Sequence, residues 1–238
     1  MIVGLCWVGV FRVTWRLFGD PENTRVRLIP TLAVVALECA VLGRGLVLGL
    51  ARSLDERDPQ RGGPPPAGSL TSVLTLVLTV AAYWALLAGI PDRIGWYPSH
   101  DDWRSWFNVL YPRSTYRPML LAPVWGRWAI LLAAGVGRAA TDADPLVRGL
   151  SAAVRPGRVL LWAIVPIGLT ALYTAREGPG RLFQGLLVTL LVMLVTYVAA
   201  VLFARRRGGQ DADTICAAAT IAQLAFLTAY RALCVGEQ

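Results

Sequence analysis

The sequence predicts an all-α, polytopic integral membrane protein, a helical bundle of about six to seven transmembrane helices. Hydrophobic residues fill 55% of the 238 positions and the mean hydropathy is +0.53, too apolar for a soluble domain of this length. The 23 basic and 15 acidic residues fall mainly between apolar runs, which keeps charge out of hydrocarbon. Several of those runs approach the roughly 20 residues that cross a bilayer.

Taken in order, the run 2–18 contains Arg12 and Arg16 and is expected either to lie in the interface or to form a tilted first span. No charged region precedes it and no cleavage site follows, so it is not read as a signal peptide. The run 28–50 is a span interrupted by Glu38 and Arg44. Residues 52–69, "RSLDERDPQRGGPPPAGS", have the Pro, Gly and charge content of a flexible loop. The run 70–90 is the next span. Residues 91–117 are too polar to cross, and Trp96, Trp103, Trp106, Tyr111 and Tyr116 are aromatics of the kind that collect at headgroup depth, so an interfacial segment is expected there. Runs 118–136, 159–173, 182–203 and 214–235 complete the set. There is no internal repeat, and residues 1–238 read as a single membrane domain. Loop arginines are equally numerous on the two sides of a six-span arrangement, so they do not orient the chain.

All 23 basic residues are arginine. This fits a composition bias, and it equally suits phosphate contacts, since the planar guanidinium fork binds oxyanions bidentately. The charge is dispersed among membrane loops, and no nucleic-acid partner is expected. Cys6, Cys39, Cys216 and Cys234 stand alone, and His100 is the single histidine, which leaves carboxylate-bound Mg²⁺ as the more available metal chemistry.

Charges inside spans are the candidates for chemistry, because each is penalised by roughly 2.5–3.5 kcal/mol at the bilayer centre. Arg127, in "APVWGRWAILL", must face a carboxylate, a polar cavity or an anionic ligand; an ion pair with Glu38 is the structural alternative. Glu38 and Arg44 are read as snorkelling or paired within the bundle. A second concentration of polarity is "RRRGGQDADTICAAATIAQLAFL". Gly208 and Gly209 permit a tight turn and are candidates to lie beside bound phosphate, and Asp211 and Asp213, both candidate metal ligands, stand at the start of the last helix. Asp213 either caps the helix or holds a Mg²⁺ that neutralises a diphosphate, with Arg205, Arg206 and Arg207 attracting the anion. Asp142 and Asp144, in "GRAATDADPLVRGL", lie on the same side and are candidate additional metal ligands, or part of a solvated loop. Ala218, Ala222, Ala225 and Ala229 form a small-residue stripe for close helix approach, and Asp213, Thr220 and Gln223 share one arc of the helix.

"GGQDADTICAAATIAQLAFL" resembles the C-terminal signature of the cobalamin synthases (adenosylcobinamide-GDP ribazoletransferases), with Gly208, Gly209, Asp213, Thr214 and Ala217 as the matching residues. "APVWGRW", with Gly126 and Arg127, is similar to that family's "PVLGRW" helix, and the likeness covers roughly 118–234. The family's acidic motif, of the form HLDGLADTxDG, is not found; "PDRIGWYPSHDDWRSW" with His100, Asp101 and Asp102 follows the second span instead, and one span is fewer. Ala212 replaces a family glycine, and Ala219, Thr220 and Gln223 stand where Asn and Glu are usual. The resemblance implies a bacterial inner-membrane enzyme that joins a nucleotide-activated corrinoid to α-ribazole with release of GMP and Mg²⁺ assistance. Asp213 would then bind metal, Arg127 or the arginine row would contact phosphate, and this face would be cytoplasmic. The alternative is a non-catalytic subunit or small transporter that retains the fold.

Overall fold

The computed structural model describes residues 1–18, 28–41, 45–54, 70–88, 116–175 and 179–235. They form nine α-helices: α1 (Ile2–Phe18), α2 (Leu28–Val41), α3 (Gly45–Leu54), α4 (Leu70–Ala88), α5 (Arg117–Val136), α6 (Pro145–Ala153), α7 (Pro156–Ala175), α8 (Pro179–Arg207) and α9 (Ala212–Tyr230). A π-helical turn, Arg231–Val235, extends α9. There is no strand among the described residues, and the chain is an integral membrane protein of the all-α class. Five helices (α4, α5, α7, α8 and α9) are long and apolar enough to span, and two shorter apolar helices, Ile2–Trp15 and Ile29–Glu38, accompany them.

Two expectations are corrected. The run 28–50 is two helices, α2 and α3, with Gly43, Arg44 and Gly45 at their junction, and of these Gly43 and Arg44 lie outside the described residues. Arg52, Ser53 and Leu54, expected in the loop, complete α3; residues 55–69 lie outside the described residues. Tyr116 of the aromatic segment, at the start of α5, is 1% exposed and makes an edge-to-face contact with Phe11 of α1. The rest of the aromatic segment, through Thr115, lies outside the described residues.

Helix α9 is the centre of the bundle, packed against α3, α5 and α8. In hydrocarbon, helices gain little by hiding apolar surface from one another, so association rests on close packing and interhelical hydrogen bonds. The alanine stripe supplies the first: Ala218, Ala222 and Ala229 are buried, and Ala225 packs against the main core. Stacking of Trp125 on Phe226 fixes α5 against α9. Trp125 and Trp128 also donate from Nε1 to Thr170 Oγ1 at 3.3 Å and to the Val159 carbonyl at 3.1 Å, which ties α5 to α7. Gly185 of α8 is so close to Thr174 of α7 that a Cβ there would stand 2.1 Å from the hydroxyl.

Arginines close the helix ends. Arg117 Nη1 donates to the Tyr173 carbonyl (3.1 Å), Arg181 Nη1 to that of Cys234 (2.8 Å), Arg231 Nη1 to that of Ala85 (2.9 Å) and Arg206 Nη2 to that of Leu54 (3.0 Å). Each acceptor lies in or near a last helical turn, where carbonyls lack intrahelical partners and a cation is favoured by the helix dipole.

A polar network crosses the interior. Trp7 Nε1 donates to Glu38 Oε2 at 2.6 Å, Gln223 Nε2 donates to Glu38 Oε1 at 3.0 Å, and the Tyr83 hydroxyl donates to Gln223 Oε1. Helices α1, α2, α4 and α9 thus meet at one amide and one carboxyl group. Gly126 of α5 closes on the same amide, since a Cβ there would lie 2.6 Å from Gln223 Nε2. Glu38 therefore neither snorkels nor forms an ion pair with Arg127: both its oxygens are used by neutral donors. Replacing Gln223 with Leu removes the buried amide that bonds both Tyr83 and Glu38, so a loss of about 1–3 kcal/mol is expected in detergent unfolding, against no measurable change for the exposed Thr228→Ala.

Candidate functional site

The site is built where α8 ends and α9 begins. After Arg207 the chain reverses through Gly208 and Gly209, whose φ values of 70° and 152° few side chains tolerate. The Gly209 amide donates to the Ala204 carbonyl at 2.9 Å and closes α8. A Cβ on Gly209 would sit 2.6 Å from Ala140 Cα, so glycine also permits the turn to lie on the loop after α5. A short parallel bridge results: the Ala140 amide donates to the Gln210 carbonyl at 2.9 Å and the Gln210 amide to the Arg138 carbonyl at 2.8 Å. The two glycines, expected beside phosphate, are placed as the hinge that fixes this mouth.

Gln210 is fully buried and donates from Nε2 to the Ala200 carbonyl, while its Oε1 accepts from the Thr214 hydroxyl at 2.8 Å. The N-cap of α9 is Asp211, not Asp213. Asp211 Oδ1 accepts from the Thr214 amide at 2.7 Å, and the Asp211 amide donates to Thr214 Oγ1 at 2.9 Å, a reciprocal capping box. Asp213, two residues on, is thereby released from capping. Its Oδ1 lies 3.9 Å from Arg52 Nη1, and it is within electrostatic reach of Asp211 and Arg207. The Arg52 and Asp213 side chains are 40% and 25% exposed, so the pair contributes at most about 1 kcal/mol and both charges stay available to a ligand.

Arg52 was not among the sequence candidates. Its position follows from Gly49, where a Cβ would lie 2.6 Å from that of Cys216 and 2.9 Å from the Asp213 carbonyl oxygen, so only glycine brings α3 this close to α9. The legible signal was the GxxxG spacing of Gly45 and Gly49, with Arg52 three residues further on.

The three arginines of the row differ. Arg205 and Arg206 are exposed, and Arg206 is bonded to Leu54. Arg207 is 7% exposed, and its Nε and Nη2 are buried with no hydrogen-bond partner among the described residues. Buried donors without partners are costly, which makes this guanidinium the one in the row suited to receive an oxyanion. Arg127 is half-buried on α5 and makes no hydrogen bond or ion pair among the described residues, although Glu38 and Cys216 are within its electrostatic reach. Burial, and after it the Arg127 guanidinium, pushes the Met1 ammonium below its ordinary pKa. Cys216 is within reach of Asp213 as well, so the mouth and Arg127 share one polar wall of the α5–α9 pair.

The four candidate metal carboxylates do not assemble. Asp144 caps α6, its Oδ1 accepting from the Leu146 amide at 2.7 Å, and Asp142 is exposed on the same loop. Among the described residues no three of His, Cys, Asp and Glu form a metal-ligand group. His100, Asp101 and Asp102 lie outside the described residues. Asp213 with Asp211 remains, and such a pair fits Mg²⁺ that arrives with a diphosphate, since that ion is commonly held by one or two carboxylates and phosphate oxygens.

Residues 64–231 match the family model described as cobalamin-5-phosphate synthase, a stretch that includes α4 as well as everything from α5 to α9. No curated protein and no solved structure matches the chain.

The division of labour between the two aspartates is measurable without substrate. Asp211→Ala is expected to cost about 0.5–2 kcal/mol of unfolding stability through loss of the cap, and Asp213→Ala to change it by less than about 0.5 kcal/mol. Equal losses in a detergent thermal melt would refute it.

Proposed function

This chain belongs to the cobalamin-5-phosphate synthase family, and on that premise we propose that it joins adenosylcobinamide-GDP to α-ribazole and releases GMP. Membership places it among cobalamin-synthase-type transferases of cobalamin biosynthesis that act on corrinoid substrates. In the proposed step the ribose hydroxyl of α-ribazole attacks the phosphorus nearer the corrinoid. A new P–O bond forms, the diphosphate P–O bond breaks, and GMP departs with the bridging oxygen while the hydroxyl proton passes to water.

The observation that supports this reading best is that Nε and Nη2 of the buried Arg207, beside Asp213 and Arg52, have no hydrogen-bond partner among the described residues, and that Arg127, further along the same wall, has no hydrogen bond or ion pair among them. Donors held in place by the bundle without internal partners are what a diphosphate needs, because charge-assisted bonds form with little reorganisation. Arg207 and Arg52 hold the two phosphates at the mouth, and Arg127 receives the oxygen that gains charge as the bond to GMP breaks. Asp213, with Asp211, would hold Mg²⁺, which when bound neutralises the diphosphate and polarises the phosphoryl group under attack. With nucleotide substrates the Arg205–Asp213 end faces the cytoplasm across a bacterial inner membrane.

A second reading, a non-catalytic membrane protein that keeps the fold, is favoured by the replacement of the acidic motif with "PDRIGWYPSHDDWRSW". Mass spectrometry of purified protein in detergent with adenosylcobinamide-GDP, α-ribazole and Mg²⁺ separates the two. Product is expected from the wild type, with kcat/KM falling about 10–100-fold in Arg207→Gln and Arg127→Met, the loss of one charged hydrogen bond to the transition state. Absence of product from well-folded wild type would establish the second reading.

A further inference from the structure

The lipid-facing side of α8 carries a groove that the transfer reaction does not use. It has a volume of about 720 Å³ and lies between α8, the end of α3 and Ile221 of α9. Leu194, Val198 and Leu202 line its length and are themselves exposed, so they meet the bilayer. Leu54 and Arg206 close the end nearest the mouth. From residue 194 to 206 the helix rises about 18 Å, more than half of the hydrocarbon thickness, so the groove is shaped for an extended chain.

Its polarity is one-ended. Among the described residues no acidic side chain lines it and Arg206 is the one charge, its Nη2 held by the Leu54 carbonyl so that the guanidinium is fixed at the rim. Arg205 beside it is exposed and makes no hydrogen bond among the described residues. Arginines at the end of a spanning helix sit at headgroup depth, where anionic phosphate is within reach of the fork.

We propose that this groove binds one anionic phospholipid of the surrounding bilayer, its acyl chain along α8 from Leu202 to Leu194 and its phosphate at Arg205 and Arg206. A lipid seated there steadies the C-terminal turn of α8, and with it the Gly208–Gly209 hinge from which the mouth is built.

Native mass spectrometry of the full chain in detergent, titrated with phosphatidylglycerol or phosphatidylethanolamine, tests the proposal. Phosphatidylglycerol is expected to be retained at least tenfold better, given roughly fivefold per surface arginine. The double variant Arg205→Gln/Arg206→Gln should reduce that preference to within about twofold, and Ala199→Trp, which fills the groove, should lower retention of both lipids. A phosphatidylglycerol with a photoreactive chain supplies a reading that needs no variant, with crosslinks expected in the tryptic peptide 182–205. Equal retention of the two lipids, an unchanged double variant, crosslinks spread over the other spans, or a dimer whose second copy fills the groove would each overturn it.

Discussion

One amide holds the interior of this bundle in register. Gln223 of α9 accepts from Tyr83 of α4, donates to Glu38 of α2, and presses against Gly126 of α5, while Glu38 receives Trp7 of α1 on its other oxygen. In a medium without water, polar groups at this depth have only one another as partners, so helices that misalign by a turn lose several bonds together. The constraint acts on the functional wall as well, because Gln223 and Asp213 share α9, and Gly126 and Arg127 are consecutive on α5.

The same accounting sorts the arginines. Arg117, Arg181, Arg206 and Arg231 each spend a donor on a carbonyl near a helix end, so they are part of the scaffold. Arg207 and Arg127 are held by the fold yet keep donors without partners among the described residues. A chain with no lysine uses one residue type for both tasks, and only the location of free donors separates scaffold from site. The turn at Gly208 and Gly209 matters for this reason: it lets Asp211 cap α9 and frees Asp213 to face Arg52 and Arg207.

Much of this was legible in the sequence, and the reasons are local. Spanning helices follow from run length and hydropathy, which need no partner to be read, and the alanine stripe of α9 announces close packing by its spacing alone. The likeness to cobalamin synthases rested on a few residues around Arg127 and Asp213, and the family match agrees with it. Other features were misread because they depend on what a neighbour spends. Asp213 and Asp211 are equally plausible caps by position, and the choice went to Asp211 once Thr214 returned the hydrogen bond. Asp144, offered as a metal ligand or as part of a solvated loop, caps α6 through its Oδ1. Arg52 looked like the start of a loop until Gly49 brought α3 against α9.

The sequence by itself determined that this chain is a helical membrane protein, where its long helices run and which residues could bear charge-based chemistry, because hydropathy and periodicity act within a single segment. The tertiary structure alone decided which of those residues are free. That Glu38 bonds to Gln223 and Trp7 instead of Arg127, that Arg207 is buried with open donors, and that Arg52 stands beside Asp213 are contacts between helices far apart in the chain. Each is set by the fit of small residues such as Gly49, Gly126 and Gly209, whose lack of a side chain is visible in sequence and whose partner is not.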